Sequence, residues 1–321
     1  MLTKPRVGIF HGGQSHEFPI SLQTASHLTD NLPEDDYTPV PILIDSNGQW
    51  HMGGVPVYAD QALKHVDVVL NAMHGGFGED GKFQSFLEQH KVPFTGSDSI
   101  TSAIGMHKIL AKEKAESLGI RVPQHVLLYK DSYAPEDLLT LWRSFPQPSI
   151  VKPMRSGSSI GVRVAKSYDD LREGIESAFL YDDIVFVEEY ITGREMMVGV
   201  IDDFRGEDRY ALMPFEVKRA PLSHFSFSLD DNNNVIELAG NLSSDLKDEI
   251  MELAKKMHHG IGARDYSQSE FIITSRGIYF IEINTLPPLS PRSVFPKALR
   301  AVGSSTKEFL SHILTRAFGR R

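Results

Sequence analysis

Short apolar runs that alternate with helical stretches decide what the first third of this chain can become. Residues 6–10 run apolar into His11, Gly12 and Gly13, and the stretch after Ile20 carries a helical pattern that ends near Asn31. Further runs at 39–44 and 66–72 repeat the order strand, turn, helix. Strands separated by helices pair in parallel and are covered by those helices, so an α/β module closing near Thr95 is predicted. A chain of 321 residues exceeds one core of ordinary size, and its 41% hydrophobic residues suffice to fill two or three.

Beyond that module the spacing predicts one long helix over 99–118, then short strands around Val126 and Ile150, a glycine-rich turn and a strand at 162–164. A helix over 169–179 follows, and the strand 184–189 opens a region of longer strands. Leu246, Ile250, Leu253 and Met257 recur at helical spacing and read as a buried helix face. The polar run 230–234 reads as a turn or loop. The expected organisation is three regions: 1–96, 97–183 and 184–321.

Charge and composition remove several classes of function. Thirty-three basic against forty-two acidic residues give a net charge of −9, with a pI near 5.8, so a nucleic-acid partner is not expected. The absence of cysteine rules out disulfides, thiolate zinc sites and cysteine nucleophiles, and agrees with a reducing compartment. No apolar leader follows the first basic residues, and no stretch approaches the roughly eighteen apolar residues of a membrane span. A cytoplasmic protein with no membrane partner is the expectation.

Four segments carry chemistry. In IVKPMRSGSSIGVRV, Lys152 ends a strand and 156–161 form a loop of small residues. Successive backbone N–H groups can close over an anion there while the lysine adds a point charge, so a phosphate is the natural occupant. The plain alternative is a hairpin turn, since neither a Walker A motif nor a dinucleotide fingerprint is present. In FVEEYITGREMMVGV, Glu188 and Glu189 end one strand and Glu195 enters the next, where carboxylates can accept from ribose hydroxyls or an amino group; a solvated acidic turn is the alternative.

In IYFIEINTLPPLSPRS, Glu282 and Asn284 share a strand face because side chains repeat every two residues, and Glu270 from the preceding strand adds a third oxygen donor. Such hard donors suit Mg²⁺ bridging nucleotide phosphates. Alone, a Glu-x-Asn pair is more often a structural hydrogen-bonding pair; beside a phosphate loop the metal reading prevails. Finally, HGGQSHEFPIS holds Glu17 and NAMHGGFGEDG holds His74, each in a glycine-rich loop after a parallel strand, where open α/β sheets bind ligands. The pair suggests an amino-acid pocket. Otherwise the glycines merely shape turns and His74 is a surface residue.

In this order the segments GGQSHE, HGGFGEDG, GSDSITSAIGMHK, KPMRSGSSIGV, VEEYITGRE and IEINTLP followed by Ser293 resemble the D-alanine:D-alanine ligases of the ATP-grasp superfamily, across most of the chain. The resemblance implies an ATP-grasp fold, α/β and α+β, with an N-terminal parallel α/β domain. It implies that Lys108 and Lys152 bind ATP phosphates, that Glu188 reaches the adenine with Glu189 and Ile191 nearby, and that Glu195 takes the ribose. Glu270, Glu282 and Asn284 would hold two Mg²⁺ ions, with Mn²⁺ as a substitute. Glu17 and His74 match the first amino-acid site, Ser158 a serine beside it, and Ser293 one near the second substrate's carboxylate; Glu17, Ser158 and Ser293 would act in catalysis. The reaction implied is γ-phosphoryl transfer to a carboxylate followed by amine attack, giving D-alanyl-D-alanine for a peptidoglycan precursor, with a homodimer as the assembly. Two rivals are a related ligase with another amino acid or acceptor, and a nucleotide-binding protein without turnover.

The chain departs from the family on the acyl-transfer side. Gln268 and Glu270 stand where the family has Arg-x-Asp, and Pro288 stands where it has a glycine whose N–H faces the reacting carbonyl. Neither Gln268 nor Pro288 supplies the missing donor, because glutamine is neutral and proline has no N–H. Arg264 is a candidate substitute for the cation, Lys218 a candidate for the family's mobile-loop lysine, and His107 replaces the aspartate before Lys108.

Overall fold

The computed structural model describes residues 4–154, 161–218 and 235–320. Its first sheet has Arg6–Gly12 between Thr38–Ile44 and Val68–Asn71, both pairings parallel, as the alternating pattern requires. Helix Phe18–Asn31 packs Ala25 and Leu28 against Val7 and Ile9 of the central strand. Gly12 turns the chain at φ 88°, and any Cβ there would run into the Ile44 carbonyl, so glycine is required. The strands Trp50–Met52 and Val55–Val57 extend the far edge antiparallel. Their two-residue turn, Gly53 and Gly54, has positive φ at both positions, the conformation that suits a tight hairpin.

The long helix expected over 99–118 is two helices, Ser99–Met106 and Lys108–Ser117. His107 adopts extended backbone between them, at φ −89° and ψ 101°, and its Nδ1 accepts from the Leu110 N–H at 3.3 Å. The imidazole thus caps the second helix. The break places Lys108 in a first helical turn.

A second sheet orders His125–Tyr129, Ile184–Glu189, Ser149–Pro153 and Arg163–Ala165, all antiparallel. Val151, Val185 and Val187 point into a core closed by Leu171, Ile175 and Ala178 of helix Tyr168–Ala178. By the two-residue period of a strand, Lys152, Phe186 and Glu188 lie on the opposite face.

The third sheet orders Val235–Leu238, Phe215–Lys218, Arg194–Phe204, Tyr266–Thr274 and Gly277–Asn284, with Glu207–Ala211 also paired to Arg194–Phe204. Met196, Val198, Phe271 and Ile283 meet Ile250, Ala254 and Met257 of helix Ser244–Ile261, with Leu246 and Leu253 half-buried against them, so the helix face legible in the sequence is core. The other face contributes Met197, Tyr266 and Phe215 to a core that also holds Val7, Ile9 and Leu70 of the first sheet and Phe309 and Ile313 of helix Thr306–Gly319. No helix among the described residues is long and apolar enough to cross a membrane.

Asp265 locks these parts together. Fully buried and at φ 63°, it accepts from Arg320 at 2.6 and 2.7 Å, from Arg316 at 3.1 Å and from the Gly96 N–H at 2.8 Å. Asp265→Asn keeps the shape and the left-handed backbone but leaves two arginines short of their anion. The expected loss is about 3 kcal/mol, read as a lower denaturant midpoint at unchanged m-value.

Candidate active site

Two walls form a cleft. One is the face of the second sheet that carries Lys152, Phe186 and Glu188; the other is helix Lys108–Ser117, which packs on strand Gly277–Asn284. Glu188, 2% exposed, lies between two cations: Lys112 Nζ is 2.6 Å from its Oε1 and Lys152 Nζ 2.7 Å from its Oε2. Burial would push this carboxyl up, but the two lysines outweigh it and hold Glu188 down at about 2. Lys152 also lies over the Phe186 ring, 5.0 Å from its centre.

Lys108 stands at the helix start, with Nζ 3.4 Å from the Met154 carbonyl. Burial pushes its ammonium down to about 8, and Lys152 adds repulsion that Glu282 and Glu188 partly offset. A phosphate would add further negative charge beside it and raise the value again. Nucleotide binding is therefore expected to take up a proton between about pH 8 and the ordinary lysine value of 10.5. Affinity should fall as pH rises through that window, and calorimetric titration in two buffers of different ionisation enthalpy reads the uptake directly.

The third sheet brings the oxygen donors together. Glu270 lies directly opposite Glu282 and Gln268 directly opposite Asn284, all on one face, and Glu195 is on that face of the adjoining strand. Carboxylates set opposite each other on a sheet repel unless a cation intervenes. The Asn284 Oδ1 accepts from the Leu286 N–H at 2.7 Å, which fixes that side chain. Two carboxylates and two amides in this register fit a hard divalent cation.

At the end of strand Ile184–Glu189 the two glutamates part. Glu189 pairs with Arg276 at 2.7 Å and, with Arg121, Gln124 and Tyr279, lines a cavity of about 450 Å³; Ile191 beyond it is buried.

The N-terminal loops converge at the carboxyl end of the first sheet. Ser21 Oγ accepts from the Gly12 N–H at 2.7 Å and donates to the Ala72 carbonyl at 2.8 Å, and Ser15 Oγ donates to the His74 carbonyl at 2.6 Å. Glu17 precedes helix Phe18–Asn31, and its carboxylate lies so close to Gly75 that a Cβ there would come within 2.8 Å. His74 is not a surface residue: it is 3% exposed, with Nε2 2.9 Å from Thr24 Oγ1 and Nδ1 3.4 Å from Glu79 Oε1. Its ring braces the loop that Glu17 touches. Ser293 heads helix Val294–Ala301, with Oγ 2.7 Å from Ser290 Oγ, at a helix end suited to a carboxylate.

Two substitute cations do not serve the site. Arg264 donates from Nε to the Gly96 carbonyl at 2.8 Å and stacks over Phe94, so it pins the segment joining the first sheet to the rest. Lys218 pairs with Glu237 across neighbouring strands. Gln268 is 4% exposed, with Nε2 3.5 Å from Met197 Sδ, and brings no charge. Ser158 lies outside the described residues. Sequence reasoning passed over Lys112, although it falls four residues after Lys108 and so on the same helix face. It also passed over Ser15, Thr24, Glu79 and Ser290, polar residues that carry no motif of their own.

A small antiparallel sheet and a larger one closed over a lysine-lined cleft, beside a parallel α/β sheet, define the ATP-grasp class. The model of the D-ala D-ala ligase C-terminus matches residues 115–315, and that of the N-terminus matches 6–62 and 53–97. A D-alanine--D-alanine ligase of Geotalea uraniireducens is 30% identical over 98% of this chain and 96% of its own, and the Vancomycin/teicoplanin A-type resistance protein VanA of Enterococcus faecium is 29% identical over 98% and 99%. Among solved structures, D-alanyl-alanine synthetase A of Vibrio cholerae superposes with a TM-score of 0.89 at 27% identity, covering both chains fully. The VanG D-Ala:D-Ser ligase of Enterococcus faecalis gives 0.87 at 25% identity, over 98% of this chain and 100% of its own. The chain belongs to the D-alanine:D-alanine ligase family and is an ATP-dependent ligase.

Proposed function

We propose that the protein joins two D-alanines into the dipeptide of a peptidoglycan precursor, working in the cytoplasm, where ATP is supplied, as a homodimer. What carries the reading is the convergence of Lys108, Lys152 and the Glu270–Glu282 face on one cleft, with the Glu17 loop and the Ser293 helix end as two separate places for amino acids. Lys108 and Lys152 hold the ATP phosphates, Glu188 reaches the adenine, Glu189 and Ile191 flank it and Glu195 takes the ribose. Glu270, Glu282 and Asn284 would hold two Mg²⁺ or Mn²⁺ ions, which when bound neutralise charge on the transferring phosphoryl group.

Glu17, braced by His74, orients the first D-alanine so that its carboxylate accepts the γ-phosphoryl group. The second D-alanine, its carboxylate at Ser293 and its amine deprotonated, attacks the activated carbonyl carbon and expels phosphate. Ser158, outside the described residues, is assigned by the family resemblance alone to catalysis at the first amino-acid site. Phosphoryl transfer of this kind needs positioning and charge neutralisation more than covalent help, which agrees with a site built from lysines and carboxylates.

Gln268 and Pro288 favour a second reading, in which D-alanine is activated but the acceptor differs; the VanG relative is named a D-Ala:D-Ser ligase. Incubation with ATP, Mg²⁺ and equal D-alanine and D-serine, followed by mass spectrometry, separates the two. D-alanyl-D-alanine as main product supports the first reading and a mixed dipeptide the second. ADP without any dipeptide counts against both.

A further inference from the structure

A lysine that is 1% exposed stays charged only with partners, and Lys112 has two. Its Nζ lies 2.6 Å from Glu188 Oε1 and donates to the Ile281 carbonyl at 3.1 Å. Lys152, 12% exposed, takes the other Glu188 oxygen at 2.7 Å. One carboxylate therefore sits between a lysine sealed in the cleft floor and a lysine at its opening. The arrangement also crosses the cleft, because Lys112 and Ile281 come from one wall and Glu188 and Lys152 from the other. The Phe186 ring lies under both ammonium groups, 6.0 Å from Lys112 and 5.0 Å from Lys152.

We propose that Lys112 is a positioning residue that acts through Glu188 to present Lys152 to the nucleotide phosphates. With Oε1 occupied by Lys112, Glu188 holds Lys152 by Oε2, and an ammonium has three N–H donors, so others remain for a phosphate. Without Lys112 both oxygens fall to Lys152, which then folds back onto the carboxylate and meets the nucleotide poorly. The same pair fixes the spacing of the two walls around the bound base.

The proposal rests on reading this cleft as the nucleotide site, and its test reads the nucleotide rather than the dipeptide. Binding of ADP with Mg²⁺ is measured by calorimetry in wild type, Lys112→Met and Lys112→Met/Glu188→Gln, beside denaturant midpoints. The single variant is expected to bind ADP about tenfold more weakly or worse, the scale of one lost charge-assisted contact, and to be less stable. The double variant removes the buried charges as a pair, so its stability should recover. Its ADP affinity should stay at least about tenfold low, because Lys152 has lost its anchor and the adenine has lost the Glu188 carboxylate, so the single variant carries the test of Lys112 itself. Unchanged ADP binding in the single variant, or wild-type binding in the double, would reduce Lys112 to a structural role and overturn the proposal. Steady-state rates add a second readout: KM for ATP rises while KM for D-alanine holds. A wild type that binds ADP yet makes no D-alanyl-D-alanine counts against the proposed product and leaves this inference standing.

Discussion

Glu282→Ala is expected to lower dipeptide formation by roughly a thousandfold, the scale of several kcal/mol of transition-state charge stabilisation. Stability should change little, since relief of the Glu270 opposition is set against the loss of Glu282's attraction for Lys108 and Lys112. Glu282 is exposed and faces Glu270 across the hairpin, so its removal empties no core and relieves a like-charge opposition. Glu282 also helps keep the Lys108 ammonium charged, and without it that group should titrate lower. The rate that remains should therefore decline at a lower pH than in wild type. Initial rates across pH, with melting temperatures in metal-free buffer, check all three effects. A variant that loses several kcal/mol of stability along with activity, more than its attraction for Lys108 and Lys112 accounts for, would mean that Glu282 supports the hairpin rather than the reaction.

Gln268→Arg combined with Pro288→Gly is expected to raise kcat by roughly ten- to a hundredfold, since one oxyanion donor is worth about a hundredfold or more and neither would be placed perfectly. An arginine at 268 would stand opposite Asn284 on the face that carries Glu270 and Glu282, so its charge is compensated where it lands. Glycine at 288 restores an N–H to a half-buried turn. Each single change should give less, because the two donors would meet the same oxygen and such pairs are not additive. No gain in single-turnover rate would show that acyl transfer here does not depend on these donors.

Residues that follow a short period were legible before any coordinates. Glu282 and Asn284 declare a shared face by the two-residue repeat, and Leu246, Ile250, Leu253 and Met257 declare the inner side of helix Ser244–Ile261, where Ile250 and Met257 are buried and Leu246 and Leu253 half-buried. The break at His107 was not legible, because a histidine cap looks like any polar residue within a helical pattern. Strands of three residues, Trp50–Met52 and Val55–Val57, are too short to show a period. Arg264 sat near Gln268 in sequence, yet a turn at Asp265 sends it to Gly96; proximity along the chain says nothing about direction across a turn. Lys112 was hidden by its plainness. One more lysine on a helix reads as solvent-facing until Glu188 arrives from a strand seventy-six residues later in the sequence. Segments 155–160 and 219–234, with Ser158 and the polar run at 230–234, lie outside the described residues.

The central claim is that ATP is spent on activating a carboxylate. The most direct test supplies D-alanine labelled with oxygen-18 in both carboxylate oxygens, together with ATP and Mg²⁺, and analyses the released phosphate by mass spectrometry. Transfer through an acyl phosphate leaves one labelled oxygen in each phosphate, in step with the dipeptide formed, and that is the predicted result. Unlabelled phosphate would mean that water, and not the amino acid, receives the γ-phosphoryl group, and would contradict the account.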